Sequence, residues 1–107
     1  MKYKVYIISD AEKDLTELYH HVAKYDSPEK ADHLLDQIES TCQTLSELAH
    51  RGPTPPELER IGIFDYKEVH YKPYRILYQI IDSSVFIHCV LDGRRDLQEL
   101  LEKRLLR

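Results

Sequence analysis

The sequence contains no tryptophan, one methionine, two cysteines and three glycines among 107 residues. Cys42 and Cys89 are too few for a disulfide framework, so the fold must rest on apolar burial. At this length a chain can bury roughly two-thirds of its unfolded surface and needs no staple. So few glycines leave no Gly-rich turn ahead of a helix, which argues against a phosphate-cradling loop. No apolar run approaches the roughly 18 residues of a membrane span, and Met1-Lys2-Tyr3-Lys4 leads into alternating residues rather than an apolar signal core. The expectation is one domain over residues 1–107, cytoplasmic, with both cysteines reduced and partly buried.

Basic excess is also missing. There are 15 Lys and Arg against 19 Asp and Glu, a net charge of −4. Residues 1–62 carry 7 basic and 12 acidic groups, whereas residues 63–107 carry 8 basic and 7 acidic groups. Broad attachment to a phosphate backbone needs a wide basic surface, so direct DNA binding by the chain alone is disfavoured. Any cationic chemistry is concentrated in the second half.

What the chain does have is periodicity. Tyr3, Val5 and Ile7 alternate as a strand does. Ser9-Asp10-Ala11-Glu12 has capping-box spacing, and Ala11, Leu15, Leu18, Tyr19 and Val22 recur on one helical face, predicting a helix from Ser9 to about Tyr25. Ser27-Pro28 opens a second helix whose stripe runs from Ala31 through Ile38 and Cys42 to Leu48, stopped by Gly52-Pro53. The Pro-rich stretch from Arg51 to Gly62 reads as a loop. Three strand-like runs follow, Phe64 to Tyr71, Tyr74 to Ile81 and Val85 to Leu91, with a turn at Asp82-Ser83-Ser84. Asp96-Leu97-Gln98-Glu99 repeats the cap spacing ahead of a short terminal helix. The fold class is α+β: an N-terminal strand, an antiparallel helical hairpin, a three-stranded antiparallel meander completing one sheet, and a short C-terminal helix.

Alternation places Tyr74, Ile76, Tyr78 and Ile80 on one side of the middle strand, and Arg75, Leu77, Gln79 and Ile81 on the other. In the last strand it sets Val85, Ile87, Cys89 and Leu91 against Phe86, His88 and Val90. Both faces are then substantially apolar. Either the terminal helix folds over the second face, or that face receives a partner.

Six histidines raise a metal site, but His20 and His21 diverge by about 100° on a helix, and His33, His50, His70 and His88 show no ligand spacing. No metal and no cofactor is expected. The most informative stretch is Asp92-Gly93-Arg94-Arg95-Asp96-Leu97, where two arginines stand between a strand and a helix. Their guanidinium forks either meet phosphate or carboxylate groups of a partner, or pair with Asp92, Asp96 or Glu99 as a surface network.

Four segments, Ser9-Asp10-Ala11-Glu12-Lys13-Asp14-Leu15, Arg51-Gly52-Pro53 with Pro56-Glu57-Leu58, Tyr74-Arg75-Ile76-Leu77-Tyr78, and Gly93-Arg94-Arg95-Asp96-Leu97, occur in an order and spacing that resemble the RelE/ParE toxin superfamily. The resemblance spans nearly the whole chain. It implies the toxin of a bacterial type II toxin–antitoxin (plasmid stabilisation) pair, held inactive by a cognate antitoxin. RelE-type members cut mRNA in the ribosome, whereas ParE-type members inhibit DNA gyrase and are not known as nucleases.

RNA cleavage needs groups to take and return protons and cations for the phosphate. By resemblance Arg75, Arg95 and Lys67 match cations of the nuclease type, while the position of its terminal tyrosine falls near Leu101, which cannot transfer a proton. The RelE type is also strongly basic, and this chain has a pI near 5.8. The resemblance therefore favours a ParE-like gyrase inhibitor, more a protein inhibitor than an enzyme, with a ParD-like antitoxin and gyrase as partners and no membrane role. Arg75, Arg94 and Arg95 are the expected target contacts, and Leu97, Leu100 and Leu101 the expected antitoxin contacts. Two alternatives stand beside it: a RelE-type mRNA endoribonuclease, and a degenerate toxin kept as a binding partner in an autoregulated complex.

Overall fold

A computed structural model describes residues 2–106. Strand β1 (Lys4–Ile7) leads into helix α1 (Ser9–Tyr25), and α2 (Pro28–Gln43) follows after two residues. A single helical turn, α3 (Pro56–Glu59), sits in the Pro-rich loop ahead of strands β2 (Lys67–Tyr71), β3 (Tyr74–Ile81) and β4 (Ser84–Asp92), and α4 (Gln98–Leu105) comes last. The sheet order is β1-β4-β3-β2. The meander is antiparallel, and β1 pairs parallel with β4, a connection the helical hairpin makes by crossing over one face.

The period of α1 locates it correctly, but its cap differs from the expected box. Ile8 is the N-cap, with no side-chain bond, and Ser9 lies in the first turn. The reason is that Ile8 still donates to Ile87 O at 3.2 Å while its own carbonyl accepts from Glu12 N at 3.0 Å, so strand passes to helix without an intervening residue. Ser27 does cap α2, accepting from Lys30 N at 3.1 Å. That helix ends at Gln43 rather than near Leu48. Thr41 and Thr44 hydroxyls bond back to Gln37 O and Thr41 O, and residues Thr44–Ser46 tighten into a 3₁₀ turn whose Ser46 carbonyl accepts from Tyr3 N at 2.7 Å. Leu48 is left exposed.

Strand β2 begins at Lys67, three residues later than its apolar pattern predicts, and Phe64 is exposed. The β3–β4 turn uses Asp82 at φ 54°, a conformation Asp tolerates better than most residues. A bulge corrects the expected alternation of β4. Leu77 pairs with Cys89 but Tyr78 pairs with Ile87, so His88 is left over. Beyond it the pattern flips, and Cys89 and Leu91 join the second face while Val90 joins the first.

Two cores result. The helical hairpin packs Ala11, Leu15 and Ile38 against Ile76, Tyr78, Val85 and Ile87. On the opposite face α4 packs Leu97 and Leu101 against Leu77, Cys89 and Leu91. Of the two accounts of the second face, coverage by the terminal helix is the one observed there.

Candidate target-binding site

Arg75, on β3, points to the second face beside Leu77 and is locked in place. Its guanidinium donates to both oxygens of Glu57 at 2.6 and 2.8 Å and to both of Glu68 at 2.7 and 3.0 Å. Glu57 comes from α3, and Glu68 from the neighbouring strand two pairs along from His70, which faces Arg75 across the β2–β3 ladder. The Arg75 hydrogen bond holds the Glu57 carboxyl below its ordinary range against the opposing effect of burial, and Arg75 is held above its own range chiefly by Glu57. Glu68 is 3% exposed, and the His70 ring closes the cluster at 2.9 Å.

Arg94 and Arg95 follow β4, and the surface pairing expected as one outcome is made by Arg94 alone among the described residues. Arg94 forms a bidentate pair with Asp92 at 3.0 and 2.7 Å, and its backbone N–H also bonds Asp92. These bonds bring the Asp92 carboxyl down to about 2. The pair is solvent-exposed and flanks the groove rather than filling it. Arg95 is exposed and has no ion-pair or side-chain hydrogen-bond partner among the described residues. Both arginines line a groove of about 600 Å³ between α1 and the end of the sheet, with Leu18, Val22 and Val90 among its apolar walls.

Arg75 and Arg94 share a second, shallower depression of about 400 Å³ with His70 and Lys72. Gly93 explains how the corner fits: a Cβ there would lie 2.9 Å from Arg75 Cγ and Cδ, so only glycine lets the chain pass this close to the arginine stem. Arg75 thus supports the backbone from which Arg94 and Arg95 project.

Lys67 is not part of this arrangement. It pairs with Tyr78 and shares that residue's face, opposite Arg75, and its Nζ donates to Gly52 O at 3.2 Å. Leu97 and Leu101 are buried and Leu100 is half-buried, so of the three leucines expected to meet an antitoxin, two hold α4 on the sheet.

A third charged cluster has no counterpart in the sequence pattern. Where β1 stops, Asp14 of α1 and Arg104 of α4 continue its hydrogen bonding to β4. Val90 N donates to Asp14 Oδ2 at 3.0 Å, Arg104 donates to His88 O at 3.0 Å, and the two side chains pair at 3.1 and 3.0 Å. Helix propensity and spacing carry no trace of a contact 90 residues apart.

The family described as "ParE toxin of type II toxin-antitoxin system, parDE" matches residues 5–97 of this chain. The chain belongs to the ParE toxin family. No curated protein matches it in sequence. Among solved structures, the chromosomal ParDE system of P. aeruginosa is similar at a TM-score of 0.70 and 18% identity, covering 83% of this chain and 94% of that one. The RelBE2 toxin–antitoxin complex of Mycobacterium tuberculosis gives 0.63 and 22%, covering 86% and 92%. A mutant of the E. coli toxin RelE in its free state gives 0.66 and 18%, covering 100% and 98%. The ParE-family match takes in Arg75, Arg94 and Arg95 but ends at Leu97, so Leu101 and Arg104 lie beyond it. No helix among the described residues is long and apolar enough to cross a membrane.

Proposed function

We propose that this ParE-family toxin acts in the cytoplasm as an inhibitor of DNA gyrase and is neutralised by direct binding of a ParD-like antitoxin. The observation that carries gyrase inhibition over mRNA cleavage is the dispersal of the nuclease-type residues. Lys67 and Arg75 occupy opposite faces, and Leu101, near which the resemblance puts the nuclease tyrosine, is a core side chain. Metal-free RNA cleavage by 2′-hydroxyl attack needs a proton acceptor, a proton donor and cations converging on one phosphate. Arg95 and Arg94 make the target contact, Arg95 as a free fork and Arg94 by exchanging Asp92 for a carboxylate or phosphate of the target. Arg75 is a positioning residue beneath them. Leu100 and the outer side of α4 contribute to the antitoxin surface, with Leu97 and Leu101 holding that helix in place.

Induction of the toxin without its antitoxin is expected to stop growth and give elongated cells with DNA damage, and co-expression of the neighbouring antitoxin gene is expected to restore growth. Harmless expression would favour a degenerate toxin, and cleavage of ribosome-bound mRNA would favour the nuclease.

A further inference from the structure

The loop that carries Arg94 and Arg95 joins β4 to α4 at the surface, yet both of its ends are tied to one pair of residues. At its start, Gly93 N donates to Pro73 O at 2.8 Å and the glycine lies against the Arg75 stem. At its end Leu97 is buried, and the next residue, Gln98, reaches α3, where its Nε2 donates to Glu57 O at 2.9 Å. Glu57 is also the bidentate partner of Arg75. Arg75, Glu57, Gln98 and the loop therefore close a ring, with α3 as the brace between the loop's two ends.

The Glu57 carbonyl is free for this bond because α3 is too short to use it. In a continuing helix Ile61 N would donate to it, but that amide donates to Leu58 O at 3.1 Å as the chain tightens toward Gly62. A carbonyl left over between packed elements needs a donor, and Gln98 supplies one. The Gln98 amide is engaged at both ends. Its Oε1 accepts from Arg60 at 2.9 Å, and its Nε2 also donates to Glu102 at 2.9 Å, which together fix the orientation of the side chain. The brace is itself anchored, since Pro55 and Leu58 are fully buried.

We infer that Gln98 is a positioning residue for the target contact: its bond to Glu57 O fixes the far end of the loop as Arg75 fixes the near end, so that Arg95 stands on an ordered backbone. This rests on the target-contact reading above and adds to it a residue that acts through the loop rather than on the target. Arg95 keeps a free guanidinium fork while its main chain is already held. On binding it gives up side-chain freedom alone, and the affinity gains by the backbone freedom that no longer has to be lost. Arg94 differs, because Asp92 holds both its backbone N–H and its guanidinium. Loosening the far end of the loop therefore falls mainly on Arg95.

The test is Gln98→Met in the full-length toxin, a change that keeps side-chain length and helix propensity and removes all three hydrogen bonds. Inhibition of supercoiling by purified gyrase is measured against toxin concentration, beside melting temperature and amide exchange. The variant should fold, need roughly 3- to 10-fold more protein for half-inhibition, and exchange faster at the Arg94 to Gln98 amides. Added to Arg95→Ala, it should raise the half-inhibitory concentration no further, although it lowers the melting temperature in both backgrounds. A folded Gln98→Met with unchanged potency, or the same added loss of potency in the Arg95→Ala background, overturns the inference. Should Gln98→Met fail to fold, nitrogen relaxation of the unaltered toxin decides: the Arg95 backbone should be as rigid on the nanosecond scale as β4, and fast motion there overturns the inference. Absence of gyrase inhibition by the unaltered toxin overturns the gyrase reading instead. Amide exchange then judges the brace by itself, faster exchange at Arg94 to Gln98 in the variant supporting it and unchanged exchange overturning it.

Discussion

Arg75 and Arg95 are twenty positions apart, carry the same side chain and were expected to serve the same surface, yet the fold gives them opposite surroundings. Four charge-assisted hydrogen bonds surround Arg75, which has two carboxylates against its one charge. Arg95 is exposed and has no side-chain partner among the described residues. A charge taken out of water must be paired or it destabilises the fold, whereas an exposed one contributes little to stability and is free to bind. The difference separates an arginine that holds the site together from one left exposed at its surface, where the proposed function places the target contact.

The largest expected effect falls on Arg75. Arg75→Ala leaves Glu68 buried without its cation and Glu57 without its bidentate partner, which should cost about 3–5 kcal/mol. Against a domain stability of about 5–15 kcal/mol this is a large fraction, and a melting-temperature measurement should show a fall of many degrees. An unchanged melting temperature would erase the contrast with Arg95. Arg104 comes next. Arg104→Gln breaks the pair with Asp14 and removes the donor to His88 O, and should cost about 1–3 kcal/mol, with faster amide exchange concentrated in α4 and at Val90.

Acidification probes the same paired groups. Burial first, then the nearby Arg104, lowers the His88 pKa from its ordinary 6.5. The Arg75 and Arg94 hydrogen bonds lower those of Glu57 and Asp92, Asp92 to about 2. A group depressed in the folded state adds stability that is complete above its unfolded pKa and lost as pH falls through the folded value. Urea titrations should therefore show stability beginning to fall below pH 6.5 and falling further below the ordinary carboxylate range. His88→Gln should remove the first part of that fall and leave the second. The smallest stability effect belongs to Arg95→Ala, within about 0.5 kcal/mol, while toxicity drops. A melting-temperature loss with toxicity intact would place Arg95 among the structural arginines instead.

Much of this contrast lies beyond what a linear reading can reach. The bounds of α1, the cap at Ser27 and the span of β3 were legible because each depends on residues within a turn or two of one another. The flip along β4 was not, since it arises from a bulge fixed by pairing with β3, and nothing in Ile87-His88-Cys89 announces it. The Arg75 cluster was half legible. Glu57 and Arg75 both fall in segments that mark the superfamily, but their contact depends on how the Pro-rich loop folds back over the sheet. Glu68 reaches Arg75 only through the β2–β3 register. Leu97 and Leu101 looked available because an amphipathic terminal helix reads the same whether it covers its own sheet or meets a partner.

The central claim is that a ParE-family fold with its nuclease-type residues dispersed acts on gyrase through Arg94 and Arg95. Supercoiling of relaxed plasmid by purified DNA gyrase, with purified toxin or its Arg95→Ala variant added, tests it most directly. The account predicts that the unaltered toxin blocks supercoiling and that folded Arg95→Ala does so much less. Undisturbed supercoiling, together with cleavage of mRNA on ribosomes by the same preparation, would contradict it.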